Sequence, residues 1–327
     1  MNQLSRLAPG LLLCAGGAAL AVLVNRAVPT LSALLVAILL GAAVTNLVTP
    51  PPRFQPGIEC SARRLLRIGI VLLGLQLVLG DIARLGLGMV AVIITVVVGG
   101  ITGSLALGRA LGMARSQCLL IASGVSICGA AAVAGVNSVV DADDDEVATA
   151  IALVVLYGTL MIPIVPLLAR LFGLGVQPSG LWAGASIHEV AQVVAAGAAL
   201  GPEALTVAVV VKLARVLMLA PVAVALGTWM RRSRPAGEGA SRPPVVPLFV
   251  VGFVAMVLLA STHVVPAGWL PTVKTGQTAL LAAAMFALGL GVKVSSLVKV
   301  GPRPFLLGLL TTAWVAGIAL AGVELVA

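Results

Sequence analysis

The sequence predicts an all-α polytopic membrane protein, and three observations predict it. Of 327 residues, 60% are hydrophobic and only 9% charged, giving a mean hydropathy of +1.17, against roughly half apolar and a quarter charged in soluble chains. The 20 basic and 11 acidic side chains are too few to cover the wet surface of a soluble protein of this length. Apolar runs of membrane-spanning length recur from one end to the other. Together these exclude a soluble enzyme, a nucleic-acid binder and a disordered chain. The 37 glycines and 11 aromatics make smooth helices that can pack closely and slide.

Eleven segments follow in order: 8–24, 31–48, 66–80, 87–108, 117–138, 147–170, 180–200, 204–230, 247–262, 275–292 and 304–326. The first follows Arg6 and is long for a signal-peptide core, with another span close behind, so it is expected to stay as a helix. Residues 50–65 open on a proline run and end in Arg63 and Arg64, and read as a linker. The fifth and seventh segments each carry Gly and Ser near their middle, where a helix is expected to be interrupted or to turn back on itself. Between the fifth and sixth lies the acidic run Asp141, Asp143, Asp144, Asp145 and Glu146, which lacks EF-hand spacing and reads as a solvated turn. Residues 231–246, rich in Pro, Gly and Arg, read as a flexible linker. The whole of 1–327 is expected to be one transporter domain, with halves at 8–172 and 179–326.

Charge fixes the expected orientation. If all eleven segments cross, fifteen basic residues, among them Arg6, Arg53, Arg170, Arg234, Arg242, Lys293 and Lys299, fall on one side. Only Arg26, Arg84 and Lys274 fall on the other. This predicts a cytoplasmic N-terminus and an external C-terminus. Four scattered cysteines, Cys14, Cys60, Cys118 and Cys128, give neither a disulfide framework nor a metal site, and no cofactor is expected.

An internal repeat links the two interrupted segments. GVSICGAAAV (124–133) aligns with GASIHEVAQV (184–193), pairing Gly124 with Gly184, Ser126 with Ser186 and Ile127 with Ile187. A weaker pair joins 72–86 to 287–301 and places Gln76 near the counterpart of Lys293. The weaker copies are seven segments apart and therefore inverted. The fifth and seventh are inverted only if both are re-entrant hairpins; the sequence leaves hairpin and broken helix open. Either way, interruptions near the membrane midplane mark binding sites in inverted-repeat transporters.

The ionisable residues inside apolar segments are few. Segment seven holds His188, Glu189 and Gln192, with Ser186, Glu189 and Gln192 at i, i+3, i+6 on one helical face. Segment eight holds Lys212 and Arg215, which cost about 5–7 kcal/mol together at mid-helix unless compensated. One reading pairs a cation with Glu189 as a structural link. The other makes an anion site from Lys212, Arg215, Ser126 and Ser186, with Gln192 and the backbone at Gly124 and Gly129 beside it. His188 or Glu189 then carries a coupling proton. Two cations against one carboxylate favour an anionic solute. Cys128 reads as a packing thiol, and Trp182 and Trp229 as interface anchors.

The strings GVSICGAAAV, GASIHEVAQVVAAG, VKLARV and PPRFQPGIECSARRLLRIGIVLLG resemble the "putative sulfate exporter" family of bacterial inner-membrane proteins over about 8–326. That family is similar in architecture to the cation/proton antiporter and anion transporter superfamily. The resemblance implies inverted repeats, a core moving against a scaffold, and sulfate as a lead for the substrate. It also implies an arginine where this chain has Gln76. The expected activity is secondary transport of a small inorganic or sulfonate-type anion. The rivals are a cation/proton antiporter and an intramembrane enzyme using His188 and Glu189. Expected partners are an anionic solute, the lipid bilayer and a second copy of the chain, and no nucleic acid.

Overall fold

The computed structural model describes residues 3–28, 33–48, 50–140, 142–233, 248–291 and 301–326. Among them every regular element is helical. Lys293, Lys299, Arg234, Arg242, Asp141, nearly all of the 231–246 linker and residues 292–300 of the weaker repeat's second copy lie outside the described residues. Five helices are long and apolar enough to cross a membrane, and several shorter apolar helices accompany them. Leu12, Leu87, Leu167 and Leu309 stand exposed on these surfaces, as lipid-facing side chains do.

The chain divides into two compact units, each drawing on both halves of the sequence. One comprises Met1–Gln76 and Ala255–Gly301, the other Leu77–Val254 and Pro302–Ala327. The first unit contains α1 (Gln3–Ala27), α2 (Ala33–Leu47), α3 (Gln55–Cys60) and α4 (Leu66–Leu73). Here the expected linker 50–65 is instead helical from Pro52 onward, through α3 and a π-turn at Ser61–Leu65 into α4. Proline suits a helix's first turn, where its missing N–H is not needed. Gly57 then lets α3 press against α1: a methyl group on it would stand 2.6 Å from Gly10 Cα. Beyond α4, Gln76 donates a hydrogen bond to Gln277, a partnership that sequence reading had no means of finding.

The second unit holds α5 (Leu79–Arg84), α6 (Gly86–Ala110), α7 (Arg115–Ser123), α8 (Ala130–Val140), α9 (Asp144–Leu171) and α10 (Val176–Ser186). It continues with α11 (Val190–Leu200), α12 (Pro202–Leu217) and α13 (Leu219–Ser233). The helix α14 (Leu248–Ser261) is divided between the units, and α15 (Leu270–Gly289) belongs to the first. The last helix, α16 (Pro302–Val326), returns to the second. The described acidic residues 143–146 are not a free turn. They start α9, where the carboxylates of Asp143, Asp145 and Glu146 oppose the positive end of the helix dipole.

Segments five and seven are fold-back hairpins. In the seventh, a methyl on Gly180 would meet Ala204 Cα at 2.7 Å and one on Gly184 would meet Val211 Cβ at 2.9 Å, so α10 runs parallel to α12. Gly197 faces Leu205 across the turn at Gly201, so α11 runs antiparallel to α12 and therefore to α10. In the fifth, Gly124 lies 2.7 Å from the Val133 side chain by the same measure, which a continuous helix cannot achieve across nine residues. There α7 and α8 also pack against each other.

The hairpins point at one another. Gly108 opposes Cys118 and Gly100 opposes Ser126, so α6 and α7 are antiparallel. Gly322 opposes Val92 and Gly103 opposes Trp314, so α6 and α16 are antiparallel. Trp182 bonds Ala316 and His188 contacts Thr312, so α10 and α16 are antiparallel too. It follows that α7 and α10, the entering limbs, run in opposite directions and bring their tips together from opposite ends of the unit. This is the one arrangement in which the two copies of the stronger repeat are inverted.

Candidate functional site

The tips meet around two buried cations. Lys212 and Arg215 lie one turn apart on α12, and both are fully buried. The Lys212 ammonium donates to Ile127 O at 2.8 Å and Ile187 O at 2.9 Å, the two isoleucines that the repeat aligns. The Arg215 guanidinium donates to Val125 O (2.8 Å) and Ser126 O (3.1 Å) in the first hairpin. In the second it reaches Gly184 O (3.2 Å) and Ile187 O (3.0 Å). Each cation therefore ties one hairpin to the other. Breaking a helix frees the carbonyls of its last turn, which carry the negative end of its dipole. Here they are the counter-charge for the cations.

The positive ends of the same junction hold a carboxylate. Ile187 and Glu189 have extended backbone, and Glu189 precedes α11 as its N-cap. Its side chain accepts the Gln192 backbone N–H while Gln192 Oε1 accepts the Glu189 N–H at 3.0 Å, a reciprocal capping box. Glu189 Oε1 also accepts the N–H of Ala130, the first residue of α8, at 3.1 Å. One carboxylate thus closes the N-termini of both returning limbs. Room for it comes from Gly129, whose φ of +82° and ψ of −144° suit only glycine. A methyl group there would stand 2.7 Å from Glu189 Oε1.

The reading that pairs a cation with Glu189 is not met: among the described residues no salt bridge within 4.0 Å joins Glu189 to Lys212 or Arg215. Cations and carboxylate are instead held apart, each on helix ends of opposite polarity. Ser186 Oγ donates to Trp182 O at 2.7 Å, whereas Ser126 Oγ is buried without a partner. Gln192 Nε2 and Thr311 Oγ1 are likewise buried and unpartnered. Gly124 accepts the Gly129 N–H through its carbonyl at 2.8 Å, closing the π-turn Gly124–Cys128. Cys128 is buried on that turn.

His188 engages the flanking helices. Its Nδ1 lies 3.1 Å from Val154 O on α9, and its Nε2 lies 3.3 Å from Thr312 Oγ1 on α16. Since Val154 O only accepts, Nδ1 carries a proton. Thr312, which sequence reading missed, also donates to Gly308 O at 2.8 Å. The adjacent threonines 311 and 312 in an apolar run were the available signal. Trp182 is not an interface anchor: it is buried, and its indole N–H donates to Ala316 O at 2.9 Å. Trp229 carries the Arg115 guanidinium 3.7 Å from its ring centre. A groove of about 370 Å³ is walled mainly by apolar residues of α9 and α16. It includes Tyr157 and Thr312, but none of Lys212, Arg215, Glu189 or Ser126.

Comparison with known proteins places this architecture among relatives. Residues 9–308 match the family described as conserved hypothetical protein 698. The chain is 53% identical over 319 residues to UPF0324 membrane protein Cgl0015/cg0018 of Corynebacterium glutamicum, covering 98% of this chain and 92% of that protein. It is 41% identical to UPF0324 membrane protein PA5383 of Pseudomonas aeruginosa, covering 96% and 93%. It is 38% identical to the UPF0324 inner membrane protein YeiH of Salmonella typhimurium, covering 86% and 82%.

Proposed function

Because the chain belongs to the UPF0324 family of multi-pass membrane proteins, we propose that it is a secondary transporter whose solute site is the junction of the two hairpin tips. The observation that carries this reading is the convergence of four helix ends, two cations and one carboxylate inside an apolar unit. Helices broken in mid-membrane cost free backbone groups, and transporters use such groups to hold a solute and release it. With two cations against one carboxylate the junction favours an anion. Lys212 and Arg215 supply its positive field while fastening the tips, and Ser126, Ser186 and Gln192 stand at its border. Small inorganic or sulfonate-type anions, sulfate among them, are the solutes we assign, with export across the inner membrane as the direction.

Counting charges with hairpins in place moves only Arg170, leaving fourteen basic residues against four, which supports a cytoplasmic N-terminus. His188 suits proton coupling. Neutral, its Nε2 can accept the single Thr312 hydroxyl proton, turned away from Gly308 O; protonated, it donates to the Thr312 oxygen while that hydroxyl donates to Gly308 O. Both states are satisfied without rearranging the backbone.

Counterflow in proteoliposomes with labelled sulfate, sulfite and organosulfonates at several pH values tests the reading. The expected result is saturable anion exchange that Ser126→Ala reduces at least tenfold and that loses its pH dependence in His188→Gln. Sodium or potassium flux against protons with no anion movement overturns it.

A further inference from the structure

We infer that Arg63, Arg64 and Arg67 line a water-filled vestibule that reaches the middle of the membrane and gathers small inorganic or sulfonate-type anions there. The inference rests on the transport reading for the vestibule's purpose. Its existence rests on the depth and exposure of the three arginines.

The segment that carries them is a complete span rather than a linker and a short helix. From Gln55, α3, the π-turn at Ser61–Leu65, α4 and a 3-10 turn at Gly74–Gln76 follow without a break. This rod is about 33 Å long, enough to cross the hydrocarbon core. Beside it, α1 has an apolar span of matching length, Arg6–Ala27. Gly10 abuts Gly57, and one turn on Cys14 lies beside Ser61, so the two run parallel with Arg64 level with Gly17. A second path agrees. Gly69 and Gln76 meet Leu281 and Gln277, so α4 is antiparallel to α15 and Arg64 falls level with Phe286, which meets Gly17. Gly17 lies roughly three turns from either end of its span. The arginines therefore stand near mid-membrane.

All three are exposed, as are Arg6 and Arg53 where α1 and the rod begin. Beyond them the accessible side chains Ile68, Val71 and Leu72 are apolar. Charge is thus confined to the half of the rod that opens where α1 begins, the cytoplasmic side in the proposed orientation. An exposed arginine this deep is costly against lipid, and the ends of the span are too far for it to snorkel. Residues 1–76 and 255–301, the same compact unit, contain nine basic side chains and one acid, Glu59. Like charges one turn apart repel, and water with mobile anions relieves them where protein carboxylates are so few. Two of the three sit on a π-turn, a distortion that recurs at functional sites. Leaving them out of the side count, eleven basic residues still oppose four, so the proposed orientation is unchanged.

Modification of single cysteines tests this, in the full chain lacking its four native cysteines and oriented in vesicles of zwitterionic lipid. The probes are two water-soluble thiosulfonates of similar size, one bearing a sulfonate and the other a quaternary ammonium. Arg64→Cys and Arg67→Cys should both react from the side of the N-terminus, about tenfold faster or more than Leu20→Cys. Leu20 is exposed on α1 level with Arg67 but faces lipid, where a thiol stays protonated and the probes do not dissolve. Relative to a free thiol, the anionic probe should be favoured about fivefold over the cationic one. Adding Arg63→Gln, or raising salt to about 1 M, should shrink that preference. Using two positions guards against one variant that fails to fold. Rates no faster than Leu20→Cys at both, reaction from the opposite side alone, or equal rates for the two probes overturns the proposal. Loss of reaction on adding anionic phospholipid also overturns it, and assigns the arginines to lipid headgroups. Flux is not measured, so failure here leaves the transport reading standing, and an absence of flux leaves the vestibule standing.

Discussion

The two hairpin tips share a sequence pattern and differ in what they contribute. At equivalent places the first has Cys128, Gly129 and Ala132, the second His188, Glu189 and Gln192. The ends of their entering limbs are treated alike, since Ile127 O and Ile187 O accept from the same ammonium. The starts of their returning limbs are not: the second hairpin provides the carboxylate, and the first provides the empty space and the N–H that receive it. Symmetry thus builds the backbone cradle, and asymmetry equips it. A duplicated junction bearing glutamate on both tips would place two carboxylates against each other and leave no slot between them.

The largest effect should come from removing what the tips share. Arg215→Ala strips the carbonyls of Val125, Ser126 and Gly184 of their guanidinium partner in a buried junction, Ile187 O keeping Lys212, and should cost at least about 4 kcal/mol. Size-exclusion profiles after mild heating would register this as loss of folded protein. Adding Glu189→Ala should not rescue it, because the two residues are not paired. Next is Gly129→Ala, at about 2–4 kcal/mol, from positive φ and the Glu189 side chain together. Gly124→Ala, at ordinary φ and crowded by the Val154 and Val133 side chains, should cost less. Denaturant titration of the pair would rank them, and equal costs would remove the distinction between the tips.

Smaller effects separate the serines. Ser186→Ala loses a buried bond to Trp182 O and should cost about 1 kcal/mol. Ser126→Ala loses none and should leave Tm unchanged while reducing anion flux. If Ser126→Ala destabilises as much as Ser186→Ala, Ser126 is a packing residue rather than a donor in waiting.

What was legible in the sequence follows from where information is stored. Membrane-helix class came from composition, and Glu189, Lys212 and Arg215 stood out because charge is rare in apolar runs. Their partners did not, since backbone carbonyls at 125–127 and 187 and the Ala130 N–H leave no mark in side-chain chemistry. Hairpin and broken helix are indistinguishable in sequence because the one basic residue whose side depends on the choice is Arg170, at the end of α9, so charge counting barely changes. The helix at 52–65 was hidden by a proline run that reads as a break but sits at a helix start. Trp182 was misplaced because aromatic position in sequence reports the end of a segment, not what packs on it.

The opposed hairpins are the central claim, and sidedness of their bases tests it most directly. In a background lacking Cys14, Cys60, Cys118 and Cys128, single cysteines at Ala114, Asp143, Gln177 and Glu203 would be labelled with a membrane-impermeant maleimide in oriented vesicles. Positions 114 and 143 should label from one side, and 177 and 203 from the other. Labelling of 114 and 143 from opposite sides would mean that segment five crosses the membrane, and would contradict the account.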